Sequence, residues 1–192
     1  MEKIADAHLN TIPAHMSDKP IPESYWVVPG SFLAGGYPIA YLDEAAARAC
    51  LSAFLEAGFN TYFDLTRLGE LPAYLPDLQE QAARYNISIH YQRITVQDRG
   101  LPAHDQMAAL LDAIDAALAA GRKVYLHCWG GIGRTGMTVG CWLVRHGMTG
   151  GQALIRLNEL YQTAEQSRLI SQAPETDAQV RYILDWIEDG MA

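Results

Sequence analysis

Residues 123–146 constrain this chain more than any other stretch. A short apolar run, Lys123-Val124-Tyr125-Leu126, ends in His127-Cys128-Trp129-Gly130-Gly131-Ile132-Gly133-Arg134-Thr135-Gly136, and a helix-like apolar segment follows to His146. A buried strand that turns through glycines straight into a helix is a unit of parallel α/β sheets. The flanking pattern repeats that alternation. It predicts a hairpin over 24–36, a helix over 43–57 with Ala47, Cys50, Leu51, Phe54 and Leu55 as its stripe, and a strand at 61–65. A helix follows at 77–85, a strand at 87–94, and a periodic helix at 103–120 carrying Met107, Leu110, Leu111, Ile114 and Leu118. After the central strand 123–127 and the helix 135–146, helices are expected at 150–161 and 177–188. The last has Val180, Ile183, Leu184 and Ile187 on one face. The expected fold is α/β: a central, mostly parallel sheet of four to five strands with helices on both faces. Residues 1–22, polar with three prolines, read as an extended arm before a single domain over 23–192.

The Gly-rich turn has a chemical reading. A phosphoryl group is captured covalently when its oxygens are held while a nucleophile reaches phosphorus. Trp129, Gly130, Gly131, Ile132, Gly133 and Arg134 offer six backbone N–H groups and no proline. Glycine tolerates the φ values that turn such groups inward, and the following helix adds its N-terminal dipole. Arg134 can grip two oxygens through its planar fork. A thiol titrating near ~8.5 can be lowered to roughly 3.5–7.5 in such a field, so Cys128 is expected as a thiolate nucleophile. Thr135 is expected to donate its hydroxyl to that sulfur. His127, on the strand's opposite face, is expected to order the loop rather than act as an acid.

The stretch His127-Cys128-x5-Arg134-Thr135-Gly136 resembles the signature of the cysteine-based protein tyrosine phosphatase superfamily, particularly its compact dual-specificity branch with bacterial and atypical members. The resemblance extends from about Tyr25 to the C-terminus. It implies a phosphotyrosine protein phosphatase-like fold and a phosphomonoester hydrolase working through a cysteinyl-phosphate. It also implies an aspartate upstream that protonates the leaving group. Val96-Gln97-Asp98-Arg99-Gly100-Leu101-Pro102 follows a strand and supplies Asp98, where the tyrosine-specific branch carries Trp-Pro-Asp. Asp105, at the start of a helix, is the rival and reads as structural. Loops at the C-terminal ends of parallel strands share one edge, so Asp98 and Cys128 can meet. In the second step Asp98 would take a proton from the attacking water.

Further positions carry two readings each. Gln179, in Pro174-Glu175-Thr176-Asp177-Ala178-Gln179, resembles the water-placing glutamine of some relatives, or is a first-turn helix residue. Phe63-Asp64-Leu65-Thr66-Arg67 resembles the Asp-Leu-Thr strand end of the branch: Asp64 and Thr66 would tie loops together, and Arg67 faces substrate or solvent. Arg99 shares that ambiguity. Trp129 is a pocket wall for an aryl phosphate or buried packing.

The net charge of −8 argues against nucleic acid as a partner and weakly against anionic membranes. The first twenty residues contain no apolar run, and no ~18-residue apolar span occurs, so a cytoplasmic monomer is expected. Six scattered histidines imply no metal site, and the chemistry needs no cofactor. Cys50 and Cys141 read as core residues, although a disulfide from either to Cys128 would shield the thiolate. The partner is a phosphorylated substrate: a phosphotyrosine, phosphoserine or phosphothreonine protein, or a small phosphomonoester. The same chemistry on inositol phosphates, phospholipids or nucleotide ends stays open, although the loop carries no lysine. A non-hydrolysing phosphate-binding module and a sulfurtransferase or arsenate reductase are the remaining alternatives.

Overall fold

A computed structural model of the chain describes residues 19–188. Five strands form one sheet: β1 (Ser24–Val28), β2 (Phe32–Gly35), β3 (Thr61–Asp64), β4 (His90–Arg93) and β5 (Val124–His127), in the order β1-β2-β5-β3-β4. β1 and β2 are the expected antiparallel hairpin, and the other pairings are parallel. Six α-helices are described: α1 (Glu44–Glu56), α2 (Leu75–Arg84), α3 (His104–Ala119), α4 (Gly133–Arg145), α5 (Gly150–Tyr161) and α6 (Asp177–Leu184). None is long and apolar enough to cross a membrane.

Alternation along the strands assigns the two layers. Phe63, Val124 and Leu126 face one side, where they pack with Met107, Leu110 and Ile114 of α3, Val139 of α4, Leu157 of α5 and Ile183 of α6. Leu33, Tyr62 and Tyr125 face the other, against Leu51, Phe54 and Leu55 of α1 and Leu78 of α2. The expected α/β sheet covered on both faces is the observed one. α4 and α6 approach closely because Gly140 has no Cβ; one would lie 2.3 Å from Ile183 Cδ1.

Several boundaries differ for identifiable reasons. The strand expected at 87–94 is only His90–Arg93, because the N–H of Ile87 closes the end of α2 on the carbonyl of Ala82. α2 begins two residues early, since Pro76 fits its first turn. In α1, Leu51, Phe54 and Leu55 are buried while Ala47 and Cys50 are half-buried. In α3, Ala117 is buried in place of Leu118. α6 ends at Leu184 rather than 188, and its buried face is Gln179 and Ile183, not Val180, Leu184 and Ile187. Beyond it the chain turns so that Trp186 stacks on His104 of α3 at 4.4 Å. Most of the expected arm lies outside the described residues, and so do His8 and His15. Its last part is packed: Ile21 is buried, and the Lys19 ammonium donates to the carbonyls of Ser24 and Thr163.

Candidate active site

The C-terminal ends of β2, β5 and β3 lie side by side, with His127 in register with Gly35 and Asp64. The chain leaves β5 at Cys128, curls through Trp129–Ile132 and enters α4 at Gly133. Two contacts fix the curl against β2. The N–H of Tyr37 donates to the carbonyl of Trp129 at 2.7 Å, and Gly131 sits at φ +72° where a Cβ would lie 2.4 Å from the carbonyl carbon of Gly35. Of the three expected glycines, Gly131 alone uses positive φ. Gly133 instead makes room for the Gln179 amide, 3.0–3.2 Å from where its Cβ would be. At Gly130 a Cβ would make only ordinary contact with Ile132.

Among the described residues, the backbone N–H groups of Trp129 to Gly133 donate to no protein acceptor. Unpaired donors clustered at a helix N-terminus form an anion site. Cys128 lies beneath them, 3% exposed. Arg134 is buried in the first turn of α4. Its Nη1 donates to Glu70 Oε2 at 3.0 Å and Nη2 to Glu70 Oε1 at 2.6 Å, and Nη1 also reaches the carbonyls of Leu65 and Val96. Burial works against the Glu70 charge, but the bonds from Arg134 and from the N–H of Arg67 outweigh it and hold that carboxyl below its usual range. Glu70 thus takes the end of the fork and leaves the Nε–Nη2 edge. Asp98 approaches at Nη2, its Oδ1 at 3.1 Å, from a side chain 60% exposed.

The loop bearing Asp98 is tied to α6: Gln179 Nε2 donates to the carbonyl of Gly100 at 3.4 Å, and Arg99 pairs with Glu175 at 3.5 Å. Gln179 also closes a capping box with Thr176, as the first-turn helix reading expects. Asp105 stays in the first turn of α3, bonded to the N–H of Gln106.

Behind the loop a buried polar network holds His127. Its Nδ1 lies 3.2 Å from the carbonyl of Cys128 and its Nε2 2.7 Å from the Tyr74 hydroxyl. A carbonyl only accepts, so Nδ1 carries the proton and Nε2 accepts from Tyr74. Burial pushes the His127 pKa down and keeps the ring neutral. Asp64, fully buried next to it, accepts from the Thr66 N–H and hydroxyl, the Tyr91 hydroxyl and Arg93. Burial opposes its charge, but the hydrogen bonds from Thr66 and Tyr91 outweigh burial and hold it below the usual carboxylate range.

The Thr135 hydroxyl donates to the carbonyl of Gly35 at 3.3 Å. The reading of Trp129 as buried packing is set aside. Trp129 is 39% exposed and, with Arg67, Leu68, Gly69, Glu70, Gln97 and Asp98, lines a cavity of about 330 Å³. Arg67 is exposed at its rim. All three cysteines are free. The Cys50 thiol donates to the carbonyl of Pro38, and burial raises its pKa to about 11. Burial likewise pushes the Cys141 thiol far up. No cluster of His, Cys, Asp or Glu able to hold a metal occurs among the described residues.

Sequence reasoning missed Glu70, Tyr74 and the C-terminal end of β2. An acidic residue six positions past the β3 carboxyl end, on the same sheet edge as Cys128, was the available signal for Glu70.

A family model described as polymorphic toxin system, DSP-PTPase phosphatase, matches residues 41–148. A relative from Sus scrofa, cyclin-dependent kinase inhibitor 3, is 30% identical over 88 residues, 45% of this chain; the match spans only 41% of that protein. Among solved structures, kinase associated phosphatase with its catalytic cysteine replaced by serine superposes with a TM-score of 0.65 at 18% identity, covering 84% of this chain and 90% of that one. A mutant form of Tk-PTP gives 0.64 at 20% identity, covering 84% and 92%. At these identities the superpositions show the shared fold.

Proposed function

We propose that in this chain, which belongs to the DSP-PTPase phosphatase family of polymorphic toxin systems, Cys128 attacks phosphorus while the 129–133 amides and the Nε–Nη2 edge of Arg134 hold the phosphoryl oxygens. Family membership makes the chain a cysteine-dependent phosphomonoester hydrolase of the tyrosine or dual-specificity type. In the first step an S–P bond forms and the P–O bond to the leaving group breaks as Asp98 gives that oxygen its proton. In the second, water attacks phosphorus, Asp98 takes the water's proton, and the sulfur departs as thiolate. Gln179, packed against Gly133, would orient that water. Thr135 assists the sulfur only after its hydroxyl leaves Gly35.

The observation that carries this reading is Asp98 Oδ1 at 3.1 Å from Arg134 Nη2. The ion pair holds Asp98 at the guanidinium edge that a phosphoryl oxygen would occupy, and once freed from it the carboxylate takes a proton from solvent before serving as the acid. Arrival of the phosphate displaces it toward the leaving oxygen.

The substrate best suited to the cavity is an aryl phosphomonoester such as phosphotyrosine. Trp129 and Leu68, the latter 85% exposed, both line the cavity, and Tyr41 lies with its ring centre 6.5 Å from that of Trp129. Tyr41 is held at φ 60°, a conformation disfavoured for a bulky residue and often stored at functional positions. Among the described residues no lysine lines the cavity, which favours a monoester over a polyphosphorylated inositol or lipid headgroup. One domain working as a monomer would suffice, and three free thiols suit a reducing compartment such as the cytoplasm.

The test is hydrolysis of p-nitrophenyl phosphate, phosphotyrosine peptide, phosphoserine peptide and an inositol phosphate by the native chain and by Cys128→Ser. Turnover of the aryl esters, lost in the variant, is expected. Absent turnover with retained phosphate binding would leave only a binding module. Preference for the inositol phosphate would overturn the substrate class.

A further inference from the structure

Gln166 reaches the phosphate loop from outside the catalytic cavity, with a side chain that takes no part in the two chemical steps. It sits on a short 3-10 helix, Glu165–Arg168, between α5 and α6. That turn is pinned to the entry of β1, because the N–H of Glu165 donates to the carbonyl of Pro22 at 3.0 Å. From there the Gln166 amide spans two backbone carbonyls. Its Nε2 donates to the carbonyl of Glu23 at 3.2 Å and to that of Gly130 at 3.3 Å. Carbonyls only accept, so the amide must turn its NH2 group to them. Its Oε1 is left buried without a partner. An orphaned oxygen is costly, so the two carbonyls, rather than the satisfaction of Gln166 itself, account for this placement.

A trans peptide is planar, and its C=O and N–H point in opposite directions. Among the described residues the only cis bond is Ala173–Pro174, so every peptide of the loop is trans. Whatever holds a loop carbonyl outward therefore aims the next N–H inward. Tyr37 does this for one plane: its N–H takes the Trp129 carbonyl at 2.7 Å, which turns the Gly130 N–H the other way. Gln166 does it for the next plane, taking the Gly130 carbonyl and turning the Gly131 N–H the other way. That second plane lies between two glycines, where rotation is least hindered, and so depends most on an anchor. A donor on the carbonyl also polarises the peptide and strengthens the N–H on its far side. The Gly131 N–H has no acceptor among the described residues.

We infer that Gln166 is a positioning residue for the phosphate loop: it fixes the Gly130–Gly131 peptide so that the Gly131 N–H is presented to a phosphoryl oxygen. The inference rests on reading the 129–133 amides as the phosphate cradle. Gln166 touches neither substrate nor sulfur, and it acts only through the carbonyl it holds. One of the two outward anchors is a main-chain group that no substitution removes. The other is a side chain, which makes the second plane separately testable.

The test is Gln166→Met, which keeps the length of the side chain and removes both of its N–H donors. Isotope-labelled native and variant chains are titrated with orthovanadate, and the backbone amide resonances of Gly130 and Gly131 are followed by NMR. In the native chain both should move on binding. In the variant the Gly130 response should persist, since Tyr37 still holds its plane, while the Gly131 response shrinks severalfold. The vanadate Kd should rise roughly three- to tenfold, the worth of one hydrogen bond, with KM for p-nitrophenyl phosphate rising alongside and kcat changing less. Should Gln166→Met fail to fold, Gln166→Glu has the same length and no donor at neutral pH and is read in the same way. A folded variant with the native Gly131 response, or with native vanadate affinity, would overturn the inference and leave Gln166 as a surface contact. Vanadate binding needs no turnover. A native chain that binds vanadate without hydrolysing p-nitrophenyl phosphate would sink the hydrolase reading and still report on Gln166, whereas one that binds no vanadate would sink the cradle itself.

Discussion

Replacing Glu70 by alanine removes the clamp from the end of the Arg134 guanidinium. Two charge-assisted bonds are lost, at 2.6 and 3.0 Å, from a carboxylate whose side chain is only 13% exposed. Arg134 keeps its contacts to the carbonyls of Leu65 and Val96, so the side chain stays in place but loses the partner that fixes the rotation of its fork. A hydrogen bond to a charged group contributes about 1.5–3 kcal/mol, so the pair together supports at least that much transition-state stabilisation through Arg134. At 1.4 kcal/mol per tenfold, kcat/KM for p-nitrophenyl phosphate should fall roughly ten- to 150-fold. Glu70→Gln, which keeps one acceptor, should fall less. The assay is steady-state hydrolysis with vanadate inhibition measured alongside. Vanadate, which borrows the same oxygen contacts, should bind more weakly to Glu70→Ala. Tighter vanadate binding, or an undiminished kcat/KM, would mean that Glu70 competes with phosphate for Arg134 rather than orienting it, and the reasoning would fail.

Three other outcomes follow from the geometry. Asp98→Asn should slow kcat by roughly 10²–10⁴ for a poor leaving group such as an alkyl phosphate and much less for p-nitrophenyl phosphate; equal slowing across leaving groups, read from a series of phenyl phosphates, would point to another acid. Gly131→Ala forces a Cβ into the backbone of Gly35 and Gly36 at 2.4–2.5 Å and strains a φ of +72°. It should cost about 3 kcal/mol and lower Tm by roughly 6–12 °C, with phosphate binding lost by calorimetry. Asp64 has a carboxyl held below its usual range in the fold, so its stabilisation is present above the unfolded carboxylate pKa of about 3.9 and is lost as pH falls through the lower folded value. Acid titration of urea unfolding should therefore be flatter in Asp64→Asn, and an unchanged acid limb would contradict the network described here.

What the chain reveals without a structure follows the distance over which each interaction acts. Cys128, Trp129 and Arg134 sit on one short turn, so their proximity follows from spacing alone. That Asp98 reaches Arg134 was legible because strand ends of a parallel sheet share an edge, which needs only the alternation of strands and helices. Glu70 was missed although it follows β3 on that same edge: its partner lies 64 positions away, and nothing local marks a surface-like Leu68-Gly69-Glu70 turn as half of a buried pair. The resting partner of the Thr135 hydroxyl, a carbonyl 100 positions earlier, was equally out of local view. In α6, apolar periodicity pointed to Val180, Leu184 and Ile187. The face that packs instead carries Gln179, a polar residue drawn inward by its contacts with Gly133 and Gly100, and the chain beyond Leu184 is pulled off the helix axis by Trp186 stacking on His104. Tertiary partners overrode local pattern at each of these positions, and two of them touch the site.

The central claim is a covalent phosphoryl transfer to one sulfur. Rapid acid quench of the native chain during turnover of p-nitrophenyl phosphate, followed by peptide mass spectrometry, should find the mass of one phosphoryl group on the peptide that contains Cys128, transiently and only with substrate present. Cys128→Ser should show neither sustained turnover nor that labile adduct. A native chain that turns over substrate without ever labelling Cys128, or a Cys128→Ser variant that retains native kcat, would contradict the account.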